Sequence, residues 1–97
     1  MAKIKIPIQL MLHASIPQGV VLEVKATSLS EIYDELEASF PQLRGTLRDP
    51  ITRTRRAYIR IFAQREDLSD FDPESTLPSE IILGDAVIHF VTAISGG

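Results

Sequence analysis

The chain of 97 residues contains no cysteine and only two histidines, His13 and His89. Without cysteine there is no disulfide framework, no thiolate metal site and no cysteine nucleophile. Two histidines are too few for a histidine-built metal centre, so no metal site is expected. No apolar run approaches the roughly 20 residues that a membrane helix needs. Met1-Ala2-Lys3-Ile4 lacks the apolar stretch and cleavage site of a signal peptide. A soluble, cytoplasmic protein with no membrane partner is therefore the expected class. The net charge of -3 argues against nucleic acid as the main partner. The length suits one domain whose core forms without a metal or a disulfide.

What is present is mostly pattern. Ile4, Ile6, Ile8, Leu10 and Leu12 alternate with other residues, which predicts a half-buried strand over 4–12. Pro7 has no N–H to give a ladder, so that strand is expected at an edge or bulged there. After a turn at Ile16-Pro17-Gln18-Gly19, Val20, Leu22, Val24 and Ala26 form a second alternating run, a hairpin partner for the first. Ser28-Leu29-Ser30-Glu31 matches a capping box. Leu29, Ile32, Tyr33, Leu36 and Phe40 follow at helical spacing, with Glu31, Asp34, Glu35 and Glu37 between them as a solvated face. Pro41 should stop the helix near Phe40.

Regularity fails from Gln42 to Arg56, where a loop with a helical turn near Leu43–Leu47 is expected. It returns at Ala57–Ala63, a third strand. Gln64–Asp67 reads as a turn and Leu68 as the start of a short strand. Asp70–Ser79 reads as a surface connection, Gly84-Asp85 as a turn and Val87–Thr92 as the last strand. One helix covers one face of such a sheet. The two most apolar strands, first and last, are expected to pair in parallel at its centre. The predicted fold is thus α+β: a ubiquitin-like β-grasp over 1–93, a mixed sheet of four to five strands with one main helix, then a tail over 94–97. Its expected core is Ile4, Ile6, Ile8, Leu22, Val24, Ile32, Leu36, Ile59, Ile61, Ile88 and Phe90.

All seven arginines lie between Arg44 and Arg65. They read either as a solvated connection or as a docking surface for an acidic partner, since arginine grips carboxylates in a fixed fork.

The helix opening Ser28-Leu29-Ser30-Glu31-Ile32, the Phe40-Pro41-Gln42-Leu43 that ends it, the Gly84-Asp85 turn and the terminal Ser95-Gly96-Gly97 together resemble the ubiquitin-like sulfur carriers of the MoaD/ThiS family. Arg48-Asp49-Pro50, Ile59-Arg60-Ile61-Phe62-Ala63 and Glu66-Asp67 are most similar to the longer, CysO-like carriers, which serve a cysteine synthase. Ala63-Gln64 departs from the Val-Asn of many relatives, and Thr92-Ala93 from their prolines. The resemblance implies a carrier rather than an enzyme, or the small subunit of a sulfur-transfer enzyme. It implies that Gly97 is adenylated and becomes a thiocarboxylate, with Gly96 permitting entry to a partner and Ile94 and Ser95 gripped by it. Partners would be a MoeB/ThiF-like adenylating enzyme, a sulfur donor and a sulfur-accepting synthase. ATP and Mg²⁺ would belong to the adenylating partner, because the chain has no Gly-rich phosphate loop of its own. The same terminus would equally serve a protein modifier joined to lysines. The acceptor, whether cysteine, molybdopterin, thiamin or a specialised metabolite, is not written in these residues.

Four residues form the expected partner-binding surface. Ile88 and Phe90 should face the core, which turns His89 and Val91 outward. Arg60 and Phe62 should share that face, making an apolar patch suited to docking. The alternatives are a plain exposed histidine and a Phe62 covered by the segment 64–80.

Overall fold

The first strand is shorter than its sequence pattern. In the computed structural model, which describes residues 1–93, β1 spans Ala2–Lys5 and a helix, α1, spans Ile8–His13. Pro7 is the reason. Its φ of -60° suits the entry to a helix, and its carbonyl accepts hydrogen bonds from the N–H groups of Leu10 and Met11 at 3.0 Å. The alternation expected through Leu12 therefore ends at Ile6. Met11 is buried, whereas Ile8 is 49% and Leu12 62% exposed, so Ile8 does not belong to the core. The proline lies outside the strand, and β1 is central rather than an edge.

The second strand, β2 (Leu22–Val24), pairs antiparallel with β1 as expected, although α1 and a loop separate the two. The main helix, α2, spans Leu29–Ser39. Ser28 Oγ accepts from the Glu31 N–H at 3.2 Å, while Glu31 reaches one residue beyond the cap to the N–H and hydroxyl of Thr27. Those bonds, the backbone one first, hold the Glu31 carboxyl below the usual carboxylate range. A 3₁₀ turn at Pro41–Leu43 follows directly, which agrees with the stop predicted at Phe40.

Strands β3 (Ile59–Ala63), β4 (Glu66–Asp67) and β5 (Ile88–Thr92) complete a five-stranded sheet in the order β2-β1-β5-β3-β4. β1 and β5 run parallel at the centre, with Ile4 opposite Ile88. Every other pairing is antiparallel. This is the β-grasp. Glu66–Asp67 is itself the short strand, and Gln64 and Arg65 turn into it with φ of 49° and 71°. A third helix, α3 (Ser79–Ile82), was not predicted; it begins at the last residue of the expected surface connection and buries Ile81.

The core lies between α2 and the inward side of the sheet. Ile4, Ile6, Val24, Ile32, Leu36, Ile59, Ile61, Ile88 and Phe90 are buried as expected, and Leu22 is half-buried. Leu43 and Leu47, assigned to a loop, are fully buried. Complete burial of a leucine stabilises by about 1.5–3 kcal/mol, which ties that loop to the core. Among the described residues, no helix is long and apolar enough to cross a membrane.

Candidate functional site: the outward face of the sheet

Among the described residues, the outer side of the sheet is open at its middle row, where Lys5, His89 and Asp67 are exposed. There the alternation of each strand brings together side chains from four strands. Lys5 on β1 is opposite His89 on β5, His89 is opposite Phe62 on β3, and Phe62 is opposite Asp67 on β4. These four form one continuous row, because directly opposed residues share a face. The neighbouring pair is Arg60 with Val91. All four residues of the expected patch, Arg60, Phe62, His89 and Val91, are therefore adjacent. His89 is exposed, Val91 is 38% exposed, and Phe62 and Arg60 are half-buried. In the segment after β4, Leu68 and Leu77 turn inward to the core.

Arg60 differs from expectation in one respect. Its guanidinium donates to the Asp67 carboxylate on the adjacent strand. Asp67 also accepts from the Ser69 N–H at 2.8 Å. Hydrogen bonds from Ser69, then from Arg60, hold the Asp67 carboxyl at about 2. Ser69 is buried, and its hydroxyl accepts from the Ile61 N–H at 2.9 Å, so this end of the patch is rigidly braced. Lys5 is the member that sequence reasoning omitted. The signal was present: Lys3 and Lys5 alternate with Ile4 and Ile6, which are buried.

Beyond the patch, the Ala93 N–H donates to the Tyr58 carbonyl at 2.6 Å, and the Tyr58 hydroxyl donates to the Thr46 carbonyl at 2.9 Å. These bonds fix where the chain leaves the sheet. The expected tail, Ile94, Ser95, Gly96 and Gly97, lies outside the described residues.

In the arginine-rich segment, four further side chains bond within the protein. Arg48 is buried and donates to Glu37 and Asp34 of α2. Arg53 donates to Asp34, and Arg56 to the Gly45 carbonyl and to Asp49. Arg55 donates to the carbonyls of Ser69, Arg56 and Ile59. These side chains staple the loop together. Asp34 and Glu37, read as a solvated face, are their counter-ions, and the Arg48 hydrogen bond holds Asp34 below the usual carboxylate range. A cleft of about 320 Å³ remains beside them, lined by Asp34, Glu37, Ala38, Arg44, Arg48, Pro50 and Arg53.

Searches against family models and against curated proteins give no match. Solved structures do match. A chain of the Amycolatopsis orientalis BexX/CysO complex has a TM-score of 0.76 at 18% identity, covering 100% of both chains. SAMP1 from Haloferax volcanii has a TM-score of 0.68 at 15% identity, covering 99% of this chain and 98% of that one. At these identities the likeness shows a shared fold, the β-grasp.

Proposed function

We propose that this chain is a ubiquitin-like sulfur carrier, a co-substrate rather than a catalyst, whose working group is the carboxylate of Gly97. The supporting observation is the exit of β5. This central strand leaves the sheet at Thr92, beside an open face, and only four residues separate it from Gly97. Four residues from Ile94 span roughly 13–14 Å when extended, enough to carry a terminus into a partner's active site. Gly96 and Gly97 have no Cβ, which suits a narrow channel.

A carboxylate is a poor electrophile. Attack by the Gly97 carboxylate on the α-phosphorus of ATP, bound by a partner, releases pyrophosphate and leaves an acyl-adenylate. Hydrosulfide delivered by a donor then attacks the acyl carbon: the C–S bond forms, the C–O bond to phosphate breaks, AMP leaves, and a thiocarboxylate remains. The chain's contribution is to dock and to extend. His89, Val91, Phe62 and Arg60 are the docking residues, and Ile94 and Ser95 are held by the partner.

Incubation with a MoeB/ThiF-type adenylating enzyme, ATP, Mg²⁺ and a sulfur donor should add about 16 Da to the intact protein, as one terminal oxygen becomes sulfur. Deletion of Gly97 should abolish that shift and leave the melting temperature unchanged. Full loading of the deletion variant, or no shift in the intact chain, overturns the proposal. Covalent ladders of an N-terminally tagged chain in cells would assign the same terminus to lysine conjugation instead.

A further inference from the structure

Charge is distributed unequally between the two sides of this protein. Its only three lysines, Lys3, Lys5 and Lys25, fall on or just after the adjacent strands β1 and β2. Lys3 and Lys5 alternate with buried Ala2 and Ile4, and Lys25 stands between buried Val24 and Ala26, so all three turn outward. Arg60 adds a fourth cation to that face. At the paired strand positions, the acidic residues that turn to it are Glu23 and Asp67. Each of these already faces a cation, Glu23 opposite Lys3 and Asp67 bonded to Arg60. α2, on the other side of the sheet, carries Glu31, Asp34, Glu35 and Glu37, of which Asp34 and Glu37 are paired with Arg48 and Arg53. A protein of net charge -3 thus presents a cationic sheet face.

Lys5 is the exposed cation of that face nearest the apolar patch. It stands next to His89 in the row that ends on Phe62 and Asp67. Among the described residues, no salt bridge reaches it. Fields from such groups act over about a Debye length, roughly 10 Å at 0.1 M salt, which spans neighbouring strands.

We infer that the docking face recognises a partner surface that seats Phe62 and Val91 in an apolar depression and sets carboxylates against Lys5. This rests on the carrier reading, with the adenylating enzyme as the partner. It adds that partner's chemistry and assigns Lys5 a role in recognition. An acidic surface would be attracted to this face, so its cations steer the encounter before the apolar contact forms.

The test is steady-state loading by a MoeB/ThiF-type adenylating enzyme that accepts the chain, with the carrier as the varied substrate. Lys5→Glu should raise KM for the carrier roughly three- to tenfold at low salt with kcat retained, and Lys5→Gln should raise it less. The increase should disappear near 1 M salt, where screening falls to about 3 Å. Ser75→Glu makes the same net charge change as Lys5→Gln on the segment that packs against the start of α2, where the Ser30 N–H donates to the Pro73 carbonyl. It should leave KM unchanged. Lys5 is exposed, so melting of both lysine variants should match the parent. Unchanged KM in both lysine variants, or an equal rise in Ser75→Glu, overturns the inference while the carrier reading stands. Failure of the intact chain to load overturns both.

Discussion

Arg48 and Glu37 form a two-point ion pair across the boundary between loop and helix: Nε donates to Oε2 at 3.1 Å and Nη2 to Oε1 at 3.0 Å. The Arg48 residue is 2% exposed, and its guanidinium stands 5.0 Å over the ring of Tyr33. Nη2 also reaches Asp34 at 2.6 Å. A buried guanidinium requires such partners, because its desolvation is costly when it is unpaired.

Removal of Glu37 should therefore be expensive. Glu37→Ala is expected to destabilise the protein by about 3 kcal/mol, the low end for breaking a buried pair, since Asp34 remains. Asp34→Ala should cost under about 1 kcal/mol, because the Asp34 side chain is 54% exposed and Arg48 keeps Glu37. The double variant Arg48→Met/Glu37→Leu should recover most of the loss. Urea unfolding of the three variants checks this ordering, and equal losses in the two single variants would contradict it.

Gly84 has a φ of 87°, and a Cβ there would stand 2.7 Å from the Met1 carbonyl oxygen. Both the backbone conformation and the close approach demand glycine. Gly84→Ala should cost about 1–3 kcal/mol. Thermal unfolding measures it, and a shift within error would show that the turn relaxes freely.

Two pH limbs follow from the carboxyls and the buried phenol. Asp67, at about 2, and Asp34, lowered by its Arg48 hydrogen bond, are both more acidic folded than unfolded. Their stabilisation is complete above about pH 4 and is lost as pH falls toward 2. Burial pushes the Tyr33 phenol up to about 12. Its contribution is complete below about pH 10 and is lost as pH rises from there to about 12. Melting followed against pH should show Asp67→Asn flattening the acid limb and Tyr33→Phe the alkaline one. An alkaline limb unchanged in Tyr33→Phe would assign it to other groups.

The β-grasp was legible because it rests on periodic segments. The capping box at Ser28 and the alternation of β3 and β5 fix α2 and the sheet by short-range rules. The parallel β1–β5 pair then follows from which strands are most apolar. The patch was legible for the same reason, since the alternation of β3 and β5 decides its orientation. α1 was missed because Ile6-Pro7-Ile8 satisfies a period of two, and one proline carbonyl turned helix acceptor decides otherwise. Leu43, Leu47 and Ile81 were missed because their segments are too short to carry a period. Their burial is imposed by tertiary contacts. The arginine pairings were not legible, since a pair such as Arg48 with Glu37 joins residues 11 apart through a loop, and no local pattern marks it.

Phe90 and Phe62 separate folding from docking. They lie on adjacent strands, yet Phe90 is 2% exposed and packs against Tyr33 with ring centroids 5.7 Å apart, whereas Phe62 faces outward beside His89. Phe90→Ala would leave a cavity between α2 and the sheet, at a cost of about 3–5 kcal/mol. Domains of this kind are stable by only about 5–15 kcal/mol, so this variant should melt far below the parent and be partly unfolded at 37 °C. Phe62→Ala removes a half-buried ring that lies outside the core cluster. Its melting should stay near normal. Its loading should nevertheless weaken through KM, because an aromatic at the centre of a docking face contributes more to association than its neighbours do. A thermal melt paired with a loading assay distinguishes the two roles. A large fall in melting temperature for Phe62→Ala would make it a core residue. Unaltered loading in a well-folded Phe62→Ala would move the docking surface off this face of the sheet.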